Sequence, residues 1–567
     1  MPYRSPVADI TFVLDKIVDF AGLTGTDRFA ETSPDVTEAI LTEAGRMCDD
    51  ILAPLNRAGD LNPAVLENGI VRTSPGFAEG YRAIADGGWI GMAADPEHGG
   101  MGLPHTLATA VNDMMSGACL ALQLNPLMSQ GQIEALEHHA SDEIKALYLP
   151  KLISGEWHGT MNLTEPQAGS DVGALRTKAE PLDDGTYAIT GQKIFISWAD
   201  NDFIANTCHL VLARLPDGVA GTKGTSLFMV PKLIPDADGN PGERNSLRVV
   251  SLEHKMGLHG SPTAVMAFEG AKGWLIGKPH GGMAAMFTMM NNARLGVGVQ
   301  GLGVAEAAYQ KAAEYAQDRR QGRVGGTGTI SEYPDVRRML MTMKGDVFTA
   351  RSIALDCAVA IDLANATGDA RWSARAALLT PIAKAFGTDT GIEVSQMGMQ
   401  VHGGMGFIEE TGAAQFLRDV RVTAIYEGTN GIQAMDLVGR KMMDGGEAAF
   451  RLLDEIEANA EAARGAHPDL AEAVWNAAES LREATEWMAA QSDMNDRFAG
   501  AVPYLRAFAR VLGGHYHLTA AQTGDAARSA QAAFYIRRIL PEHQALLAHA
   551  MSGAAGLVDV PLEELGL

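Results

Sequence analysis

The period of the hydrophobic pattern changes twice along the 567 residues, and this change limits the folds open to the chain. Residues 1–158 repeat apolar side chains at spacings of three and four, as in the run 36–55, which is typical of helices. Residues 159–280 carry short apolar runs separated by turn sequences such as Asp183-Asp-Gly, which favour a small antiparallel sheet. Helical spacing returns at Met283. This order predicts an α+β protein whose helices and strands occupy separate segments.

The chain is too long for one hydrophobic core, so we expect several domains. The pattern changes predict an N-terminal helical domain, a middle β-domain, a helical bundle domain and an extra C-terminal helical domain, at 1–158, 159–280, 281–445 and 446–567. The last of these has nine Arg, no Lys and 17 acidic residues, a net charge of −8. A DNA-binding domain should be basic, so this charge argues against one.

Charge and cysteine content restrict the partners and the compartment. The net charge of −24 makes nucleic acid or an anionic membrane an unfavourable main partner. The four cysteines form no CxxC pair and no disulfide framework, which favours reduced thiols in a cytoplasm. The uncharged run from Met114 to Ile133 contains several amides and Pro126, so we interpret it as part of a buried helix, 106–137, broken near that proline, and not as a membrane span.

Generic motifs give little support to other chemistries. Residues 296–301 match GxGxxG, but a helical segment and not a strand precedes them, so we expect close helix packing there and no dinucleotide site. No GxSxG, Walker or HExxH sequence occurs, and the histidine pairs lack the other ligands that a metal site needs. We therefore expect no metal.

Three segments combine polar turns with groups suited to chemistry. In the first, Thr164 and Ser170 lie in a turn after a short apolar strand, where backbone N–H groups can hold a phosphate or the edge of a polar ring; an ordinary strand-exit turn is the alternative. In the second, Phe195 and Ser197 alternate onto one face of a strand, where they could cover a flat ring or simply pack in a sheet. The third segment contains Glu427 beside a glycine turn, either as a catalytic carboxylate or as an acid favoured by a helix dipole.

Taken together, these segments resemble the acyl-CoA dehydrogenases. Thr-Glu-Pro-x-Ala-Gly-Ser-Asp at 164–171 is similar to the flavin signature of the family, and Arg-Val-Thr-Ala-Ile-Tyr-Glu-Gly-Thr at 421–429 is similar to its catalytic signature. The resemblance spans about 40–445 and implies an N-terminal helical domain, a middle β-domain and a C-terminal four-helix domain. The further helices at 446–567 resemble those of a long bacterial subfamily, which includes the dehydrogenases of 3-methylmercaptopropionyl-CoA in dimethylsulfoniopropionate breakdown.

The resemblance implies FAD-dependent α,β-dehydrogenation of a short acyl-CoA thioester. Glu427 would remove the α-proton while a hydride leaves the β-carbon, and burial should raise its pKa toward neutrality. The N–H of Glu427 and a flavin hydroxyl would stabilise the enolate oxygen. Some subfamilies place the base at the position of Ala293, which cannot act as one. Arg294 and Gly428 would contact the substrate.

FAD would be held by two sets of residues. The set in the sheet segment would contact the flavin ring and the pyrophosphate: Thr164, Ser170, Phe195 and Ser197. The set in the helical segments would contact the ADP half, largely of FAD bound by a neighbouring subunit: Arg319, Gln400, Gly403, Gly404 and Thr429. The sequence departs from the family at Phe195, where many members have Trp, at Ser197, where they have Thr, and at Gly322, where an aromatic residue is common.

The resemblance also implies a homodimer, because FAD would lie at a subunit interface, and an electron-transfer flavoprotein as electron acceptor. Three alternatives stay open from sequence: a general short- or medium-chain dehydrogenase of β-oxidation, an acyl-CoA oxidase with the same base and flavin, and a remote DNA-binding relative without activity.

Overall fold

The computed structural model describes residues 3–322, 326–557 and 559–566. In this described part of the chain, seven α-helices precede the main sheet: α1 Val7–Lys16, α2 Phe20–Thr24, α3 Pro34–Met47, α4 Ala53–Leu61, α5 Phe77–Asp86, α6 His105–His139 and α7 Asp142–Ile153. The side chain of Ser33 caps α3, where its oxygen accepts a hydrogen bond from the N–H of Val36 at 3.3 Å. A π-helical turn, Cys48–Leu52, joins α3 to α4, so the predicted helical run 36–55 is three helical pieces.

The longest helix of this group, α6, breaks at a different place from the one predicted. Cys119 has φ −158° and ψ 88°, outside the helical region, whereas the chain stays helical through Pro126. The indole N–H of Trp198 donates to the carbonyl of Ala121 at 3.1 Å, two residues beyond the break. A residue distant in sequence thus contacts α6 beside the break. The position of a proline, on which our prediction was based, does not reveal such a contact. The segment from Met114 to Ile133 is buried helix, as expected.

The described residues contain eleven strands, of which the first two lie between α4 and α5 and the other nine follow α7: β1 Val65–Glu67, β2 Ile70–Arg72, β3 Trp157–Asn162, β4 Lys178–Pro181, β5 Tyr187–Ser197, β6 Asn206–Arg214, β7 Thr225–Pro231, β8 Leu233–Pro235, β9 Pro241–Arg244, β10 Leu247–Leu252 and β11 Thr263–Ile276. Seven strands form one sheet in the order β10-β11-β5-β4-β6-β3, with β7 paired to β11 and β6. Most pairs are antiparallel, as predicted, but β6 runs parallel to β3 and to β4. The long connections from β3 and β4 to β6 permit parallel pairing, which hairpin turns would not.

Ten helices follow the sheet in the described residues: α8 Gly282–Asp318, α9 Pro334–Thr367, α10 Ala370–His402, α11 Ala413–Val420, α12 Asn430–Asp436, α13 Glu447–Ala463, α14 Pro468–Ala490, α15 Met494–Ala521, α16 Ala526–Arg538 and α17 Glu542–Ala550. The GxGxxG residues lie inside α8, where a Cβ added to Gly298 would be 2.5 Å from the carbonyl oxygen of Ala383 in α10. The predicted close packing of helices is confirmed at this point. The α+β class, with helices, sheet and helices in that order, is also confirmed.

The chain divides into two compact units. One contains the described residues of Tyr3–Thr42 and Arg294–Leu567, and the other contains Glu43–Ala293. The core of the second unit lies on the seven-stranded sheet and includes Ile189, Phe228 and Phe268. All four cysteines are buried, and none of them forms a disulfide. Among the described residues, the helices are all too short or too polar to cross a membrane.

Candidate active site

Glu427 lies in a short turn and not in the first turn of a helix. A 3₁₀ helix, Arg421–Ala424, precedes the turn, and α12 begins at Asn430 with Thr429 as its N-cap. The hydroxyl oxygen of Thr429 accepts a hydrogen bond from the N–H of Ile432 at 3.3 Å. The alternative that Glu427 is a first-turn acid therefore does not describe the structure.

The backbone of this turn is strained at the carboxylate. Glu427 has φ +55° and Gly428 has φ +82°, both in the left-handed region. This conformation is energetically unfavourable for a non-glycine residue. Non-glycine residues that adopt it are concentrated at functional sites. The side-chain amide of Gln433 donates to the carbonyl of Glu427 at 3.1 Å and to that of Gly428 at 3.3 Å, so the turn is held from α12.

The environment of the Glu427 carboxylate raises its pKa. Its Oε2 atom is shielded from solvent and has no hydrogen-bond partner among the residues that the structure describes. Burial raises the pKa of Glu427 to about 7, although the positive charges of Arg294 and Lys384 oppose this shift. A carboxylate with this pKa is half ionised near neutral pH, which suits a general base.

Two cations of the same unit lie near this carboxylate. Arg294 is buried, and one of its terminal nitrogens pairs with Asp436 at 3.0 Å. Its Nε has no hydrogen-bond partner in the described part of the chain. Lys384 is fully buried in α10 and donates to the carbonyl of Gly428 at 2.9 Å. Our sequence analysis identified Arg294 but missed Lys384, whose one visible signal is a lysine between apolar residues of a helix.

A second group of the predicted residues lines a pocket of about 550 Å³ in the same unit. Arg319, Gly403 and Gly404 border this pocket, together with the rings of Tyr315 and His402, which stack with their centroids 4.4 Å apart. A Cβ atom added to either glycine would meet nothing within 4 Å, so the absence of side chains leaves open space there. Arg319 supplies a cation at the rim, which suits a phosphate group.

Two of the remaining residues of this group lie elsewhere. Gln400 is exposed near the end of α10, and its carbonyl accepts a hydrogen bond from the N–H of Gly403. Thr429 caps α12 and does not line the pocket. Gly322, the position without the expected aromatic residue, has φ +75°, and a Cβ there would collide with the hydroxyl of Tyr333.

The predicted flavin turn lies in the sheet unit. Thr164 follows β3, and its carbonyl accepts a hydrogen bond from the N–H of Ile194 at 2.9 Å, while Ser170 is exposed farther along the turn. Between them, Glu165 is buried and paired with Lys193 at 2.9 Å. Our sequence analysis included Glu165 in the motif at 164–171 without assigning it a role, and it did not consider Lys193.

The pair fixes the turn to its neighbours. The carboxylate of Glu165 also accepts hydrogen bonds from the N–H groups of Arg176 and Thr177 at 2.6 and 3.0 Å. Lys193 donates to the carbonyl of Leu163 at 3.1 Å as well. Burial alone raises the pKa of Glu165, but Lys193 and these hydrogen bonds lower it to about 2. The turn therefore carries a buried carboxylate that stays ionised.

The alternation expected for Phe195 and Ser197 is wrong in detail. Lys193 and Ile196 pair with residues of β11 that are two positions apart, so β5 carries one extra residue between them. Phe195 has φ +60° at this bulge, and 60% of its side-chain surface is exposed. Bulges redirect a side chain out of the regular pleat, and no sequence period reveals them. Ser197, at the end of β5, is half-buried.

Four family models match the chain almost end to end. Residues 37–156 match the N-terminal domain of acyl-CoA dehydrogenases, 160–271 the middle domain and 280–443 the C-terminal domain. Residues 452–561 match a domain described as acetyl-CoA dehydrogenase C-terminal like.

Curated proteins and a solved structure agree with these matches. The chain is 44% identical over 519 residues to 3-methylmercaptopropionyl-CoA dehydrogenase of Ruegeria pomeroyi, which covers 89% of this chain and 88% of that protein. It is 32% identical to a butyryl-CoA dehydrogenase of Syntrophomonas wolfei over 95% of both chains. Its fold is similar to that of Caenorhabditis elegans ACDH-11 in complex with C11-CoA, with a TM-score of 0.78 at 21% identity over 93% of this chain and 90% of that one. The predicted resemblance is thereby confirmed: this chain belongs to the acyl-CoA dehydrogenase family, whose members are FAD-dependent oxidoreductases.

Proposed function

We propose that this enzyme dehydrogenates a short-chain acyl-CoA thioester between its α- and β-carbons, with 3-methylmercaptopropionyl-CoA as substrate. The observation that carries the proposal is the carboxylate of Glu427, which is shielded, has an unpaired Oε2 and has a pKa raised to about 7. The 44% identity to the Ruegeria pomeroyi enzyme supports the choice of substrate.

Glu427 acts as the general base. Its Oε2 accepts the α-proton of the thioester as the α C–H bond breaks, and the released electron pair forms the α,β double bond. The chemistry that bound FAD would supply is acceptance of the hydride that leaves the β-carbon. The N–H of Glu427 stabilises negative charge on the thioester oxygen. The left-handed backbone at Glu427 fixes where both the carboxylate and this N–H point.

The residues present fit the binding of FAD. Arg319, Gly403 and Gly404 combine a cation with side-chain-free backbone at a pocket, a set suited to a pyrophosphate. We assign them, with Gln400, to the ADP half of FAD bound by a second copy of the chain. Thr429 remains a candidate contact to the adenine-pyrophosphate portion.

The remaining cofactor assignments of this proposal are residues of the sheet unit. We assign Thr164 and Ser170 to the ring edge and the pyrophosphate, and Phe195 and Ser197 to the flavin ring. The exposed ring of Phe195 supports this, because an aromatic side chain held outside the sheet core offers a flat apolar surface. Arg294 and Gly428 are assigned to the thioester and its pantetheine path.

The same proposal includes the assembly, electron acceptor and cellular setting. Because one copy would complete the FAD site of the other, the enzyme works as a homodimer. An electron-transfer flavoprotein receives the electrons, and the reaction takes place in the cytoplasm as a step of dimethylsulfoniopropionate degradation. Four buried cysteines, none of them in a disulfide, suit a reducing compartment.

Butyryl-CoA is the second candidate substrate. The relative from Syntrophomonas wolfei matches 95% of this chain, including its C-terminal helices. General short-chain fatty acid oxidation is therefore the alternative role for the same chemistry.

The test is an assay of purified holoenzyme with 3-methylmercaptopropionyl-CoA and an artificial electron acceptor in the absence of oxygen. We expect a yellow protein and a product that lacks two hydrogens, detected by mass spectrometry. A colourless protein that gains no flavin on reconstitution would refute the proposal. Turnover that requires oxygen and releases hydrogen peroxide would instead identify an acyl-CoA oxidase.

A further inference from the structure

Lys384 is a buried cation that the mechanism above does not use. It lies in α10 with no exposed surface, close to the point where Gly298 allows α8 to approach. A Cβ on that glycine would be 3.1 Å from the Cα of Lys384. Burying an ammonium group is costly unless its donors are paired, so its partners indicate why it is there.

Both hydrogen-bond acceptors of Lys384 in the described part of the chain lie in or beside the turn that carries Glu427. Its Nζ donates to the carbonyl of Gly428 and to Oδ1 of Asn430, each at 2.9 Å. These acceptors are 44 and 46 residues away in sequence. The lysine therefore ties one helix of the bundle to the residue after the base and to the first residue of α12.

The side chain of Asn430 is itself held in one orientation. Its Nδ2 donates to Oδ1 of Asp389 at 2.7 Å and to the hydroxyl oxygen of Thr388 at 2.9 Å, both on α10. With the nitrogen bound there, Oδ1 is directed to Lys384. The contact between Lys384 and Asn430 is thus held on the asparagine side by Asp389 and Thr388 and on the lysine side by the hydrogen bond to Gly428.

These contacts hold a backbone conformation at Glu427 that is unfavourable by itself. The left-handed φ of +55° at Glu427 is unfavourable for a non-glycine residue, and it persists only where surrounding contacts determine it. The carbonyl of Gly428 accepts two hydrogen bonds, from Lys384 and from Gln433. Gln433 also binds the carbonyl of Glu427.

We infer that Lys384 is a positioning residue for Glu427: its hydrogen bonds to Gly428 and Asn430 hold the turn in the left-handed conformation that places the carboxylate for proton abstraction. This inference rests on the proposed function, since it requires Glu427 to be the base. It concerns how the base is held and not which substrate it meets.

The positive charge of Lys384 also assists the base, because it favours the ionised form of Glu427. The groups around Glu427 in this unit are Arg294 on α8, Lys384 on α10 and the neighbouring Tyr426, which donates to Gln300. Burial raises the pKa of Glu427, and both cations lower it. Loss of Lys384 removes one of these two cations, so the pKa of Glu427 should rise and less of it should be ionised at neutral pH.

The test uses α-proton exchange, which depends on the base and not on hydride transfer. Holoenzyme is incubated in D₂O with 3-thiabutyryl-CoA, in which sulfur replaces the β-carbon, so that no β-hydride can leave. Deuterium at the α-carbon is measured by mass spectrometry as a function of pH. Lys384→Met removes the donors and the charge, whereas Lys384→Gln removes the charge and keeps two N–H donors on a side chain that is one bond shorter.

We expect Lys384→Met to lower the exchange rate about 100-fold, the loss that a displacement of about 1 Å at a reacting group produces. Lys384→Gln should lose less rate. In both variants the acid limb of the pH profile should move to higher pH. Gln433→Met should lower the rate without moving this limb, because Gln433 carries no charge.

A buried ion pair away from the turn provides the structural control. Arg510 of α15 pairs with Asp346 at 2.5 Å, and we expect Arg510→Met to lower the melting temperature while exchange and its pH profile stay unchanged. Wild-type rates and an unmoved acid limb in either Lys384 variant would overturn the inference. Exchange by Glu427→Gln at the wild-type rate would instead refute the choice of base, so the two failures are distinguishable.

Discussion

Lys193 of β5 donates a hydrogen bond of 2.9 Å to Glu165, and neither side chain has more than 3% of its surface exposed. The pair joins the turn that carries Thr164 to the strand that carries Phe195. Two stretches assigned to the flavin site are thus connected by one buried ion pair. Breaking such a pair leaves an uncompensated buried charge, which is more costly than never having had the pair.

Lys193→Met should therefore lower the free energy of unfolding by about 3–5 kcal/mol and reduce the FAD content of the purified protein. Arg248→Met is the matched control, because its pair with Glu269 lies in the same sheet but is exposed, and its loss should cost less than about 1 kcal/mol. Urea denaturation and flavin absorbance measure both effects. If the free energy of unfolding falls equally in the two variants, the buried pair stabilises the sheet unit no more than an exposed pair does.

The pH dependence follows from the pKa of Glu427. The base must be ionised, and burial raises its pKa to about 7, so kcat/KM should fall as the pH drops below about 7 and level off above it. An acid limb near the ordinary pKa of a glutamate would show that the carboxylate is not desolvated in the working enzyme. Initial rates in overlapping buffers at constant ionic strength measure the limb.

Chain-length preference tests the proposed substrate. The side chains of Met114, Leu120 and Met128 are buried in α6, a segment that we propose lies beside the acyl tail of the substrate. A pocket closed by such side chains should accept butyryl-CoA and 3-methylmercaptopropionyl-CoA within about tenfold in kcat/KM, since one buried methylene is worth about 0.8 kcal/mol. Palmitoyl-CoA should be much poorer, because overfilling a packed site is penalised steeply. A preference for palmitoyl-CoA would overturn the short pocket and leave the base unaffected.

The proposed dimer predicts complementation between two inactive chains. Arg319→Ala should weaken FAD binding in the partner's site, and Glu427→Gln should inactivate its own site. A mixed dimer then contains one complete site, made from Glu427 of one chain and Arg319 of the other, so mixing should restore activity. Light scattering should report a dimer. Absence of rescue in a verified mixed dimer would mean that Arg319 serves its own chain.

The sequence was sufficient for the order of elements because hydrophobic period and turn residues are local signals. Gly298 in α8 was also interpreted correctly, since a glycine match without a preceding strand favours helix packing. The parallel pairing of β3 with β6 was missed, because pairing direction depends on the path of the connection and not on the composition of either strand.

The residues of the candidate site could be predicted from sequence only where they lie in a recognisable motif. Glu427 lies in a recognisable signature, but its left-handed backbone and the contact with Lys384 arise from packing between α10 and a turn 44 residues away. The break at Cys119 and the bulge at Phe195 have the same origin, because both depend on partners distant in sequence. No period or propensity within a window of the chain contains that information.

The most direct measurement of the central claim is the rate of dehydrogenation by Glu427→Gln. The amide has nearly the shape of the carboxylate but cannot accept the α-proton, so the variant should keep its fold and FAD. Its kcat should fall at least 10²–10⁴-fold, the contribution of a positioned general base. A variant that retains a tenth of the wild-type rate, with FAD bound, would contradict the assignment of Glu427 as the base.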